Sequence, residues 1–200
     1  MGKVVMGKVV LDLSMSLDGF IAGPKDDDKP DRELAGLDLL HDWRFGGKSS
    51  SETEAFEVEK FKPMGAGIVG HRMLDLGLGP WGENPTFHMP IFVLSHETRK
   101  PITKQGGTTY YFNTEGIESA LKQAEEAAGG KDMMVLGGAN AAQQYLKAGL
   151  LDEIHLHLVP VLLGEGIRLF ENIGTEQINL EQMSVSDEPD VTHFRFRVVK

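Results

Sequence analysis

The sequence predicts a three-layer α/β domain with a mixed, mostly parallel sheet and an antiparallel hairpin at its C-terminus. Short apolar runs bounded by Gly or Pro recur through the middle of the chain, as expected for strands buried on both faces. Amphipathic helices alternate with these runs, and alternating apolar and polar residues mark the first and last strands. A chain of 200 residues is long enough for one domain with a substantial core.

The N-terminal quarter predicts one strand and two helices. Over residues 9–17 the odd positions are apolar and the even ones carry Asp or Ser from position 12 onward, so we expect a strand with one polar face. Leucines at helical spacing predict a helix over 32–45. A second helix is expected over 52–62, with Ser51 as its N-cap and Pro63 as its end.

The rest of the chain continues the alternation of strands and helices. The helix over 115–128 has an apolar face, Thr114 as its expected N-cap and Gly129 as its stop. A second amphipathic helix is expected over 140–148. The predicted strands are 66–69, 91–94, 108–112, 133–136, 153–159, 177–185 and 191–199, of which the last two form the closing hairpin.

The composition limits the classes of function. Acidic side chains number 30 against 20 basic ones, and the formal charge of -10 repels nucleic-acid phosphates and anionic membrane surfaces. The lack of cysteine excludes disulfides, thiolate metal sites and a cysteine nucleophile. No apolar stretch approaches the roughly 20 residues that span a bilayer, and no secretory signal is recognised, so we expect a cytoplasmic protein that acts on a small molecule.

The strand over 133–136 runs through Gly137 and Gly138 directly into a helix. Backbone N–H groups and the dipole at a helix N-terminus bind phosphate, and glycine lets the anion approach the backbone. A tight turn that needs a positive φ explains the two glycines equally well. Phosphate binding therefore needs support from elsewhere in the sequence.

Two further strand ends supply that support. Gly70 and Arg72 follow one predicted strand, and an arginine there can bind a terminal phosphate such as the 2′-phosphate of NADP. The alternative is a surface arginine that pairs with Asp75. Ser95 ends another strand, and the carboxyl ends of parallel strands meet at one edge of a sheet. The three strand ends together predict an elongated anion site.

Aspartates and histidines are the remaining candidates for chemistry. Asp18 lies where the first strand turns, and it can contact a substrate hydroxyl or amine or simply stabilise the turn. Asp12, on the polar face of that strand, is the competing candidate. His155 and His157 share one strand face, and without cysteine we expect two partly exposed histidines and no metal site. Trp43 is expected in the core or in the lining of a substrate pocket.

Four segments carry a family resemblance. They are residues 14–22 (SMSLDGFIA), 70–73 (GHRM), 135–140 (VLGGAN) and most of 149–170. They resemble the dihydrofolate-reductase-like superfamily, and more closely the reductase domain of the bifunctional riboflavin-biosynthesis deaminase-reductase. The resemblance implies a single reductase domain over 8–200, with NADPH lying across the carboxyl ends of the strands.

The resemblance also implies roles for individual residues. Asp18 would face the substrate as the catalytic residue, with Trp43 as a further substrate contact. Ser14, Ile21 and Ala22 would lie by the nicotinamide, Arg72 and Ser95 by the 2′-phosphate, and residues 137–140 by the pyrophosphate. The implied cofactor-binding residues are Ser14, Ile21, Ala22, Gly70, Arg72, Ser95, Gly137, Gly138, Ala139 and Asn140.

We therefore expect an NADPH-dependent reductase of a small pyrimidine-, ribityl- or pterin-like substrate, resembling 5-amino-6-(5-phosphoribosylamino)uracil reductase, and forming a homodimer as its relatives suggest. Folate is the less favoured substrate, because Asp38 and Asp42 match the acidic helix residue of dihydrofolate reductases poorly. A non-catalytic nucleotide- or flavin-binding module and a stand-alone interaction domain are the alternatives.

Overall fold

The structure is a computed structural model that describes residues 7–25, 30–46 and 59–200. Its helices are α1 (Pro30–Phe45), α2 (His71–Trp81), α3 (Ile117–Ala128) and α4 (Ala139–Lys147), and residues 59–61 are also helical. Its strands are β1 (Val9–Ser16), β2 (Phe20–Ala22), β3 (Met64–Gly70), β4 (Pro90–Leu94), β5 (Ile102–Thr103), β6 (Thr109–Asn113), β7 (Asp132–Val135), β8 (Glu153–Val159), β9 (Ile167–Arg168), β10 (Leu180–Glu188) and β11 (Val191–Val198).

Nine of the strands form one sheet in the order β10-β11-β8-β1-β7-β3-β4-β6-β5. The strands from β8 to β6 are parallel to one another. Strands β11 and β10 at one edge, and β5 at the other, run antiparallel to their neighbours. The predicted mixed sheet with a C-terminal antiparallel hairpin is confirmed.

Helices cover both faces of this sheet, as the predicted three layers require. On one face, α3 and α4 contribute Ala120, Ala124 and Tyr145 to the larger apolar cluster. On the opposite face, α1 contributes Leu40 and α2 contributes Leu74. None of the helices in the described part of the chain is long and apolar enough to cross a membrane.

The alternation along β1 divides its side chains between these layers. Leu11 and Met15 pack beneath α3 and α4. Asp12, Ser14 and Ser16 point to the other side, where Ser14 accepts a hydrogen bond from α1. All three polar residues are buried, so the predicted polar face of this strand lies under a helix.

Several predicted boundaries are wrong. The expected Thr114 cap is not used, because α3 begins two residues later with Gly116 as its N-cap at a φ of 92°. Strand β10 begins at Leu180 instead of 177. Helix α2, absent from the predicted order, contains glycine and an internal Pro80, which weaken the helical signal in the sequence. Of the predicted second helix, residues 59–61 are helical, while its Ser51 cap lies outside the described residues.

Candidate functional site

The structure brings the two glycine-containing strand ends together. The Gly70 N–H donates to the Gly137 carbonyl at 2.7 Å, where β3 and β7 end side by side. Gly137 has a φ of +105°, so the turn explanation applies to this residue. Gly138 has a φ of -73° and precedes α4 with no side chain capping the helix. A Cβ placed on Gly138 would lie 4.0 Å from the nearest heavy atom, on Met73, which is an ordinary van der Waals contact, so a side chain can be added here without a clash at Cβ.

The other predicted cofactor residues lie in different settings. Ala139 and Asn140 form the first turn of α4, and Asn140 accepts a hydrogen bond from Gln144 at 2.7 Å. Ile21 and Ala22 are buried in β2. The Ser95 hydroxyl is part of a local turn, in which the Glu97 N–H donates to it at 3.0 Å. Their roles toward a cofactor stay predictions.

Arg72 is held by a buried carboxylate. Its Nε donates to Glu33 at 2.8 Å and its Nη2 lies 2.5 Å from the same carboxylate, whose side chain is 3% exposed. Asp75, the alternative partner expected from the sequence, contacts His71 at 3.3 Å instead. Arg72 therefore joins α2 to α1 beside Gly70, Gly137 and Gly138, which we call the glycine edge. Binding of a 2′-phosphate by Arg72 stays a prediction.

Glu33 is a residue that sequence reasoning missed. The acidic candidates Asp38 and Asp42 on the same helix are both exposed, so neither is the buried carboxylate of α1. The signal was present in the spacing, because Glu33 lies seven positions before the fully buried Leu40 and therefore on the same helical face.

Asp18 supports the turn after β1. Its carboxylate accepts hydrogen bonds from the Ser16 hydroxyl at 2.6 Å, the Gly164 N–H at 2.7 Å and the Leu163 N–H at 3.2 Å. The Ser16 hydroxyl, assisted by these amides, lowers the pKa of Asp18. The turn-stabilising role expected from the sequence is present, while a contact with substrate stays a prediction.

A buried polar cluster lies under α1, on the polar face of β1. Asp12 Oδ1 is 2.5 Å from Lys60 Nζ and 3.3 Å from His157 Nε2. His155 Nδ1 is 3.8 Å from the other carboxylate oxygen. The strand register explains the grouping, since Asp12 is paired with His155, and Ser14 with His157.

The cluster continues through a second imidazole to the edge of the sheet. His157 Nδ1 lies 2.6 Å from His193 Nδ1, and His193 Nε2 lies 3.3 Å from Glu188 Oε1. The Trp43 ring is centred 5.0 Å from each imidazole, and its Nε1 donates to the Ser14 hydroxyl at 3.2 Å. We call Asp12, Lys60, His155, His157, His193 and Trp43 the Asp12 cluster.

The charges in this cluster determine its protonation. Burial favours a raised pKa for the Asp12 carboxyl, but the Lys60 ammonium and the His155 and His157 imidazoles outweigh burial and hold the pKa well below its ordinary value. Burial lowers the pKa of His157, against the opposite effect of Asp12. Asp12 is therefore ionised, and a neutral His157 is favoured.

The expectation that His155 and His157 are partly exposed is confirmed, because their side chains are 13% and 14% exposed. Within the described ranges, no group of three or more His, Cys, Asp or Glu residues is arranged to hold a metal. His193 and Lys60 had no signal in the sequence, because their proximity to Asp12 depends on which elements are neighbours in the fold.

Comparisons with known proteins identify a family for this chain and similar solved structures. The profile described as "RibD C-terminal domain" matches residues 7–194. The chain is 25% identical over 185 residues to the uncharacterized protein YyaP of Bacillus subtilis strain 168, covering 88% of this chain and 87% of that protein.

Two solved structures show the fold. A Shewanella sp. PV-4 protein, provisionally assigned to riboflavin biosynthesis, superimposes with a TM-score of 0.71 at 21% identity, covering 96% of this chain and 99% of that one. Dihydrofolate reductase from Enterococcus faecalis, solved with NADP(H), superimposes with a TM-score of 0.57 at 14% identity, covering 98% of both chains. The predicted dihydrofolate-reductase-like fold is confirmed.

Proposed function

The chain belongs to the RibD C-terminal domain family, and from this premise we propose that it is an NADPH-dependent reductase of a small heterocyclic substrate. The observation that carries the proposal is the glycine edge formed by Gly70, Gly137 and Gly138, with no side chain capping α4. The net charge of -10 favours a small-molecule substrate over nucleic acid or an anionic membrane. We propose a cytoplasmic location for the same enzyme.

The residues at the glycine edge fit the pyrophosphate of a dinucleotide. No side chain caps α4 at Gly138, so no side chain occupies the N–H groups of its first turn. Such groups bind phosphate through hydrogen bonds and the helix dipole. NADPH, when bound, supplies the hydride, and the protein orients it and the substrate.

The substrate side of the proposed site lies under α1. Ser14, which the resemblance places by the nicotinamide, is hydrogen-bonded to Trp43. We propose that Trp43 contacts the substrate ring beside the cofactor. Asp18 holds the N–H groups of Leu163 and Gly164 at the end of β1, and we propose that it acts at the rim of this pocket. The substrate class is that of 5-amino-6-(5-phosphoribosylamino)uracil.

A fluorescence titration of the purified protein with NADPH and, separately, with NADH tests the function. We expect a dissociation constant in the micromolar range for NADPH, typical of enzyme cofactors and substrates, and much weaker binding of NADH. Oxidation of NADPH in the presence of 5-amino-6-(5-phosphoribosylamino)uracil is then followed at the absorbance of the reduced nicotinamide. Failure to bind either nucleotide would contradict the proposal and favour a flavin or other nucleotide module.

We also propose that the protein is a homodimer formed through the C-terminal hairpin. All nine residues of the edge strand β10 are exposed, including Leu180, Met183 and Val185. An exposed apolar edge strand is a template for pairing with another chain. Val185→Asp is expected to convert a dimer to a monomer in light scattering after size-exclusion chromatography. Leu39→Asp on α1 is the control, because Leu39 is also 46% exposed, and a monomeric native protein would overturn the proposal.

A further inference from the structure

We propose that His193 and His157 form the proton-supply path of the reductase site, with His157 as the group that gives the proton to substrate. The path begins at the sheet edge beside Glu188 and ends next to Ser14 under Trp43. This inference rests on the proposed function and adds to it the source of the proton that must accompany the hydride.

The contacts form an unbroken chain. Glu188, whose side chain is 54% exposed, lies 3.3 Å from His193 Nε2. The two Nδ1 atoms of His193 and His157 are 2.6 Å apart, so one of them must donate and the other accept. His157 Nε2 then faces Asp12 Oδ1 at 3.3 Å. Four groups from β10, β11, β8 and β1 thus connect the surface to the buried face of β1.

A purely structural role explains this arrangement poorly. Asp12 and Lys60 form an ion pair whose side chains are 6% and 12% exposed. Buried ion pairs contribute little net stability, because desolvation offsets their attraction, and apolar side chains can replace them without loss. Buried titratable groups with perturbed pKa values are instead concentrated at functional sites.

The charged groups around the imidazole pair favour one protonation state. Asp12 from β1, Lys60, and His41 from α1 act on His157, with Arg44 acting on His41 and Glu188 beside His193. Burial lowers the pKa of His41 to about 4, so His41 is neutral near pH 7. His193 lies beside the exposed carboxylate, whereas burial and Lys60 disfavour a charge on His157. The cation of the pair therefore belongs on His193.

The reaction step balances with this state as its start. NADPH, when bound, would supply a hydride with its electron pair to the carbon of a C=N or C=O group. The Nε2 proton of neutral His157 goes to the nitrogen or oxygen of that group, while the Nδ1 proton of cationic His193 moves to His157 Nδ1. Both imidazoles end neutral, with the proton of His157 on Nδ1. The starting state returns when this proton exchanges through solvent from Nδ1 to Nε2 of His157 and His193 takes up one proton from solvent. The 3.3 Å contact between His157 and Asp12 is long enough to open for the substrate atom, as is common before substrate binds.

Imidazole NMR tests the path without any activity measurement. In long-range 1H–15N spectra of the native protein, we expect His157 to carry its proton on Nε2 and to stay neutral while His193 takes up a proton. The proposal is overturned if His157 takes up the proton before His193, or if its neutral form carries the proton on Nδ1.

Kinetics test whether the reaction uses the path. His193→Gln is expected to lower kcat about 100-fold, the usual contribution of a positioned acid, and to leave the KM for NADPH unchanged. It is also expected to remove the fall of native kcat with rising pH. Arg195→Gln is the matched control on the same strand, at an exposed position, and is expected to keep the native kcat and pH profile.

The outcomes separate this inference from the proposed function. If the native protein neither binds nor oxidises NADPH, the proposed reductase function is overturned. The proposed proton path through His193 and His157 is then overturned as well. A native protein that turns over while His193→Gln keeps its kcat and pH profile overturns the path alone. Loss of kcat with loss of the pH dependence, in a variant that still binds NADPH, supports both.

Discussion

Gly138→Val is expected to weaken NADPH binding about 100-fold, because losing one or two charge-assisted hydrogen bonds of roughly 1.5 to 3 kcal/mol each has that effect. The valine side chain would occupy the space in front of α4, where the nearest heavy atom is 4.0 Å from the added Cβ. The backbone at Gly138, with a φ of -73° and a ψ of -164°, suits valine. The free energy of unfolding should therefore stay close to the native value.

Gly137→Ala is the matched variant with the opposite expectation. Gly137 has a φ of +105°, and a Cβ there would lie 3.1 Å from a methyl of Leu13. Strain at such a backbone position costs about 1 to 3 kcal/mol, so we expect lower stability from this variant. Fluorescence titration and urea unfolding of both variants measure the two effects separately. Native NADPH affinity in the folded Gly138→Val variant would contradict the proposed cofactor site.

Asp12→Asn is expected to lower the free energy of unfolding by about 3 to 5 kcal/mol, the usual effect of removing one member of a buried ion pair. The Lys60 ammonium, 12% exposed, would lose the carboxylate 2.5 Å away, and His157 would lose its acceptor. Urea unfolding measures the change, and an unaltered slope with denaturant shows that the unfolded states are comparable.

Acid dependence identifies the Asp12 carboxylate as the source of this stability. Its pKa in the folded protein is held below the ordinary value of 3.8, so its contribution is fully present above pH 3.8 and is lost as the pH falls toward the folded pKa. The difference in unfolding free energy between the native protein and Asp12→Asn should therefore be constant near neutral pH and shrink in acid. A difference that persists unchanged in acid would contradict this assignment.

A double replacement distinguishes the ion pair from the shape of the site. Asp12→Leu combined with Lys60→Met removes both charges and keeps side chains of similar size. Such replacements are often neutral or stabilising, so we expect the double variant to recover most of the stability lost by Asp12→Asn. A double variant as unstable as the single one would show that the carboxylate, and not the unbalanced charge, is what the fold needs.

The sequence predicted most of the architecture because its signals are local. Alternation over 9–17 and the apolar runs that follow predict strands whatever their partners are. The glycine pair before α4 likewise predicts a strand end that meets a helix start, and Gly70 lies beside it in the structure. Helix α2, whose start the sequence left open between a helix and a turn, and the unpredicted short ladder of β2 with β9 are the elements whose sequences carry weak local signals.

One part of the candidate site could also be predicted from the sequence, and another part could not. Glu33 was within reach of sequence reasoning, because its helical spacing from Leu40 marks it as buried. The pairing of Glu33 with Arg72 could not be predicted from the sequence. The two residues are 39 positions apart, and their contact depends on how α1 and α2 lie over the sheet. Spacing along the chain instead suggested Asp75, which is near in sequence but contacts His71.

The sequence by itself determined the fold class, the polar face of β1 and the glycine pair before α4, because each depends on residues a few positions apart in the chain. Only the tertiary structure decided that Asp12 meets Lys60 and His157, and that His157 meets His193. Alternation shows which side chains share a face of one strand, but it does not show which strand lies next to it. The order β11-β8-β1 and its register supply that neighbour, and with it the buried charges on which the proposed chemistry depends.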